Sequence, residues 1–189
     1  GAQLAAINPT SFDEVTRLAK LAVMAGLTAS PDAAEDKAIA KATMAILQGL
    51  ELGLPAMQAV QGIAIINGKA MIYGDLLTAV LWSRGFKVEK KIEGAGEIRC
   101  GYAKITRPDG TVIEKRFSVT DARRARLWRE GDNTPWSRFP ERMLEWRAFG
   151  FAVKDGASDV TRGMYVREEM APEYNDPIDI TPKAVASPA

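Results

Sequence analysis

Arg147 and Lys154 stand seven residues apart in the run Pro135 to Asp155, PWSRFPERMLEWRAFGFAVKD. At 3.6 residues per turn, that spacing puts both on one stripe of a helix, with Gly150 between them. The residues around them (Met143, Leu144, Trp146, Ala148, Phe149, Phe151, Ala152, Val153) are apolar on nearly every side, and such a helix is normally buried. Two cations aligned on a buried helix describe a groove for an elongated anion. The alternative is that both snorkel to water or pair with Glu145 and Asp155.

Other cations are placed to join them. Lys69 follows a hairpin turn, and Lys104 and Arg107 lie near one strand end. Arg123, Arg124 and Arg126 fall on a short helix, and Arg138 and Arg142 flank Pro140. Trp128 and Trp136 are interleaved with them. Cations for phosphates and aromatics for bases are the chemistry of single-strand nucleic-acid binding. Trp136 follows a proline, so it reads equally as a stacking platform or as a core anchor. The net charge of +1 hides this polarity: residues 84–147 carry 16 Lys/Arg and 10 Asp/Glu, whereas both flanks are acidic. A basic middle is the footprint of a polyanion-binding face.

Much other chemistry is excluded. The chain has no histidine, which removes Ser-His-Asp and Cys-His catalysis and histidine zinc sites. The single Cys100 precludes an internal disulfide and fits a reducing cytosol. No apolar run is long enough to span a bilayer, and no signal peptide is recognisable at its start. Gly62 to Lys69 superficially resembles a phosphate loop, but its spacing is off by one and Ala70 stands where Ser or Thr is needed. Gly49-Leu-Glu-Leu-Gly53 ends a helix instead of opening one, so it is no dinucleotide fingerprint. The residues therefore call for no cofactor and no metal. A metal-dependent nuclease would need converging carboxylates from Asp75, Asp121 or Asp159, and none of these pairs has the spacing.

The elements that must position these groups follow from local signals. Ser11 to Glu14 is a capping box opening a helix from Phe12 to about Ala25. Ser30-Pro31 is expected to start a second, ending near Gly53. Asn67-Gly68 between Ile63–Ile66 and Ala70–Tyr73 is a hairpin signal, since a type I′ turn needs two positive φ angles. Asp75 is expected to cap a helix from Leu76 to Arg84. Strands are expected at 86–93, 97–106 and 111–117, and Ser118 to Asp121 is a second capping box opening a helix to about Leu127. Residues 128–139 read as a polar loop, and Pro140 opens the long helix. The class is α+β: a mainly antiparallel sheet, made of an N-terminal hairpin plus a three-strand meander, backed by helices. Residues 1–170 are expected to form one domain. Residues 171–189, rich in proline and acid, read as a tail. The N-terminal helices, dominated by Ala and Leu, have too few large residues to close a deep core, which points to packing on a neighbouring subunit.

Several motifs together resemble the RecT family of phage-type single-strand annealing recombinases, to which the Red beta protein is distantly related. They are Gly49-Leu-Glu-Leu-Gly-Leu-Pro55, Gln58-Ala59, Asn67-Gly68-Lys69 and Gly74-Asp75 in the front half. In the later half they are Pro135-Trp136-Ser137, Pro140, Arg142-Met143-Leu144, Arg147-Ala148, Asp159-Val160, Arg162-Gly163-Met164 and Glu168-Glu169. The resemblance implies ATP-independent binding of single-stranded DNA and annealing through a duplex intermediate. It also implies ring or filament assembly, and work beside a phage exonuclease and a host single-strand binding protein in the bacterial cytoplasm. By the same resemblance Arg142, Arg147 and Lys154 lie near the DNA backbone, with Trp136 on the loop before them. Other family members carry cations where this chain has Gln58 and Glu141. The expected interface is thus Arg147, Lys154, Arg142, Lys104, Arg107, Arg123, Arg124, Lys69 and Trp136. The competing functions are a metal-dependent nuclease and a passive coat on single strands.

Overall fold

The computed structural model describes residues 8–128 and 133–169; the expected tail, 171–189, lies outside them. Helix α1 (Phe12–Met24) is capped by Ser11, whose hydroxyl accepts from the Glu14 N–H. The Glu14 carboxylate accepts from the Thr10 N–H at 2.6 Å, one residue earlier than a capping box requires. Helix α2 (Glu35–Glu51) starts later than Ser30. Ser30 is buried, and its hydroxyl accepts instead from the Ile65 N–H at 2.7 Å. The chain then turns at Asp32, which accepts from the Ala34 N–H and pairs with Lys41 at 2.8 Å. Helix α3 (Ala56–Gly62) crosses α2 so closely that a Cβ on Gly49 would lie 2.1 Å from that of Ala59. Val15, Ala19, Ala22, Ala42, Ile46, Ala56 and Val60 close a separate small core, while Phe12, Leu21, Met24 and Met44 remain exposed.

Strands β1 (Ile63–Ile66) and β2 (Lys69–Ile72) form the expected hairpin, with Asn67 and Gly68 at φ 50° and 73°. Helix α4 (Gly74–Ser83) follows directly. Strands β3 (Lys87–Glu93), β4 (Cys100–Thr106) and β5 (Val112–Ser118) make the antiparallel meander, with residues 96–98 coiled as a 3₁₀ turn instead of extended. The Ser118–Asp121 capping box opens α5 (Val119–Arg124), three residues shorter than expected. The segment read as loop contains a turn of helix, α6 (Pro135–Arg138), and α7 (Pro140–Gly156) begins at Pro140 as expected. After α8 (Ser158–Thr161), strand β6 (Tyr165–Val166) adds to β2 in parallel. The class is α+β, and the strands form two three-stranded sheets, β1-β2-β6 and β3-β4-β5. Among the described residues, no helix is long and apolar enough to cross a membrane.

Helix α7 lies across all three strands of the meander. Register explains how it fits. Ile92, Gly101 and Phe117 form one row, Lys90, Ala103 and Lys115 the next, and Val88, Ile105 and Ile113 the third. Successive strand residues face opposite ways, so Tyr102, Lys104 and Arg116 project from the far face. At Gly101 the helix touches the strand: a Cβ there would sit 2.1 Å from the Leu144 carbonyl oxygen. On the other flank, the start of α4 presses on Trp146, whose ring a Cβ on Gly74 would meet at 2.1 Å.

Candidate nucleic-acid interface

The expected cations divide into four places. Lys69, at the start of β2, and Lys154, near the end of α7, both lie against the Tyr165 ring, at 5.2 and 5.1 Å from its centroid. Strand β6 brings the ring there, and its two residues carry no pattern that a sequence could show. Arg147 packs against Phe117 and Phe151, at 5.8 and 5.2 Å, and is half-buried. Asp155, one alternative partner for these helix cations, is taken by Lys115 at 2.5 Å.

Lys104 and Arg107 do not join that stripe. Lys104 belongs to the far face of the meander, where it pairs with Glu89 at 3.6 Å. Arg107 is a structural clamp. It donates to the Gly156 carbonyl at 2.7 Å and to both Asp159 carboxylate oxygens at 2.9 and 3.0 Å. The paired guanidinium lowers the Asp159 pKa. These two positions correct the expectation of one groove, because strand parity sends Lys104 away and a bidentate pair occupies Arg107.

Arg123 forks onto the Glu97 carboxylate, and together with Arg99 it flanks Trp128. Arg124 is exposed beside Asp121 at 3.8 Å. Trp136, expected as a stacking platform or a core anchor, is 1% exposed and packs on Phe117 with ring centroids 6.3 Å apart. A base cannot reach it, which removes it from the binding set. Its place is the core because α6 turns it inward beneath the meander.

The fourth place lies at the start of α7. A cleft of about 380 Å³ is lined by Arg99, Arg138, Phe139, Pro140, Glu141 and Arg142. A second, of about 400 Å³, is lined by Met57, Gln58, Gln61, Gly62, Tyr73, Asp75 and Leu76. A lining side chain of each approaches the other: Arg142 of the first lies 3.9 Å from Asp75 of the second, an exposed and therefore weak pair. Sequence reasoning placed Arg142 here but missed Arg99 and Phe139, which come together only through the fold.

The carboxylates of the nuclease alternative are scattered. Asp121 accepts from the Ser118 N–H and hydroxyl, Asp159 is held by Arg107, and Asp75 sits in the first turn of α4. Asp75 makes no capping hydrogen bond; Glu168 accepts from the Gly74 N–H instead, at 2.9 Å.

The RecT family model matches residues 56–182. The chain belongs to the RecT family. RecT proteins bind single-stranded DNA and anneal it in recombination, and they are annealing proteins instead of classical enzymes. No curated protein and no solved structure matches the chain. The RecT match begins at α3, so both clefts, the Tyr165 cluster and α7 lie within it, and α1 and α2 precede it.

Two half-buried charged groups, Lys90 and Glu168, both feel the charge of Asp75. Burial lowers the Lys90 pKa, against the pull of Asp75, Glu145 and Glu168, and its ammonium lies 3.8 Å from the Trp146 ring centroid. Burial raises the Glu168 pKa despite its backbone hydrogen bonds. A carboxyl whose folded pKa exceeds its unfolded one adds stability below the unfolded value and loses it as pH rises through the folded value. Glu168→Gln keeps an acceptor for Gly74 without the ionisation. It is expected to melt higher than wild type in neutral buffer and to flatten the rise in stability toward acid. Thermal melts of both proteins across that range check this, and a variant that melts no higher at neutral pH contradicts it.

Proposed function

We propose that this protein anneals complementary DNA strands without ATP, as an oligomer, and that the strand runs through the cleft at the start of α7 and the neighbouring cleft between α3 and α4. The observation that carries the reading is the approach of Arg142, lining one cleft, to within 3.9 Å of Asp75, lining the other. One side offers three guanidinium groups and an exposed aromatic ring, and the other offers Gln58, Gln61 and Tyr73. A phosphate arriving at Arg142 displaces an exposed carboxylate at little cost. Lys69 and Lys154 beside Tyr165, with Arg147 two helical turns back along α7, extend the set of phosphate contacts. Annealing needs only neutralised phosphates and base edges left free to pair. The exposed Phe12, Leu21, Met24 and Met44 on the N-terminal helices support assembly with further copies. A phage exonuclease and a host single-strand binding protein in a bacterial cytoplasm complete the setting.

The test is a pairing-rate assay with two complementary oligonucleotides and no nucleotide. Wild-type protein is expected to speed pairing, whereas a passive coat slows it. Arg138→Gln with Arg142→Gln is expected to abolish the acceleration. The same double variant should flatten the logarithmic salt dependence of single-strand binding by about 1.4, at ~0.7 per lost phosphate contact. Lys104→Gln, on the far face, should leave both readouts unchanged. An annealing rate and salt slope that survive the double substitution place the strand elsewhere.

A further inference from the structure

Phe139 is 60% exposed at the corner between α6 and α7, on the wall of the arginine-lined cleft. The break in the helix at this residue follows from sequence. A residue before proline is driven out of the helical region, and Phe139 sits at φ −135°, ψ 56°, so the helix breaks there. Its backbone is nonetheless fixed on both sides. Its N–H donates to the Pro135 carbonyl at 2.8 Å, and its carbonyl accepts from the Met143 N–H at 3.1 Å. With its backbone fixed, Phe139 has only its two side-chain torsions left to order when a ligand stacks on the ring.

Single exposed apolar side chains are common and need no explanation by themselves. The surroundings make this one different. Arg138 precedes it, Arg142 lies one helical turn beyond it, and Arg99 reaches the same cleft from the residue before β4. Arg138 has no ion-pair partner among the described residues, and the ion pairs of Arg99 and Arg142 are loose contacts to exposed carboxylates, at 3.5 and 3.9 Å, although the Arg99 Nε also donates to the Gly96 carbonyl at 2.9 Å and Arg142 lies 5.8 Å from the Trp146 ring centroid. The cleft volume of about 380 Å³ falls in the ~300–1,000 Å³ range of ligand sites. A flat apolar ring between the lightly paired guanidinium groups of Arg138 and Arg142 matches a nucleotide unit, with the base on the ring and the phosphates on the cations.

We infer that Phe139 is a base-stacking residue for single-stranded DNA, with Arg138 and Arg142 holding the phosphates on either side of the stacked nucleotide. This rests on the DNA-annealing reading above and adds a contact to the base itself. It replaces Trp136, which the core encloses, as the aromatic platform of the interface. A π-face contact accepts any base, so the site is indifferent to sequence.

The experiment uses the whole protein with a fluorescent oligonucleotide, and the same strand carrying abasic sites throughout. Phe139→Ala is expected to weaken binding to the normal strand by about 5- to 150-fold, the usual worth of one stacked base. The salt slope should stay unchanged, because no phosphate contact is lost. On the abasic strand, variant and wild type should bind alike. Phe139→Trp should restore wild-type affinity for the normal strand. Melting curves of both variants guard against unfolding, and the tryptophan rescue keeps the test decisive if the alanine variant loses stability. Equal affinity of Phe139→Ala and wild type for the normal strand overturns the proposal. So does a deficit that persists on the abasic strand, since that deficit would be structural. Wild-type protein that binds neither strand would defeat the DNA-binding reading itself, a result distinct from these two.

Discussion

Gly101→Val is expected to lower the stability of the fold by ~3 kcal/mol or more, the upper range for overpacking a tight contact. The reason is the identity of the atoms in the way. A Cβ at this position would lie 2.1 Å from the Leu144 carbonyl oxygen, 2.2 Å from its carbonyl carbon and 2.7 Å from the Glu145 nitrogen. These belong to the backbone of α7, so relief requires lifting the helix from β4. The apolar row of Ala103, Ile105, Leu144 and Ala148, all fully buried, would then separate. Against a typical total stability of ~5–15 kcal/mol, such a loss is a large fraction. Gly156 gives the comparison. A Cβ there would meet Ile113 at 3.0 Å, but the contact is with the tip of a side chain that can rotate. Gly156→Ala should therefore cost clearly less. Urea unfolding of the two variants beside wild type measures the difference, and equal midpoints would mean that β4 and α7 are less closely apposed.

Trp136→Ala is expected to cost ~3–5 kcal/mol, as for other large aromatic residues removed from a core. Trp136 heads the largest fully buried side chains and packs on Phe117, which in turn packs on Phe151 of α7 at 5.7 Å. Its loss would open a cavity where the meander, α6 and α7 meet. Trp136→Phe should cost much less. The indole N–H is buried with no hydrogen-bond partner among the described residues, so deleting it removes an unsatisfied donor. This pair separates the two roles that sequence left open. A core anchor gives a large melting shift for alanine and near-normal single-strand binding for phenylalanine. A stacking platform would give the reverse: intact melting and a loss of DNA affinity.

Much of the backbone was legible from short-range signals. Asn67-Gly68 specified the hairpin because two adjacent positive φ angles are tolerated by few other pairs. Ser118 and Asp121 specified the start of α5, since a reciprocal cap needs only three residues of separation. Pro140 specified the start of α7 through its fixed φ and missing N–H. Where the reading slipped, a distant partner had intervened. Ser30 was expected to open a helix but serves β1, 35 residues away. Asp75 was expected to cap α4, but Glu168 does so from 94 residues away.

The candidate site was legible in its ingredients and not in its assembly. Composition showed a basic middle with aromatics and no histidine, which is enough to favour a polyanion-binding face over histidine chemistry. The helix that the spacing of Arg147 and Lys154 assumed runs unbroken through both. That spacing could not say that Tyr165 would meet Lys154, or that Arg107 would be spent on Asp159. Phe139-Pro140 carries a local reason for a helix break, yet only the fold exposes the ring and sets Arg99 beside it.

Sequence by itself determined the α+β class, most element boundaries and the family, because backbone preferences and caps act within a few residues. Tertiary structure alone decided which cations converge. Whether a strand side chain faces the helix or solvent, and which carboxylate reaches a guanidinium first, depends on packing between segments far apart in the chain. That packing sent Lys104 outward, sealed Trp136 inside, and left Arg138, Phe139 and Arg142 together at the open end of α7.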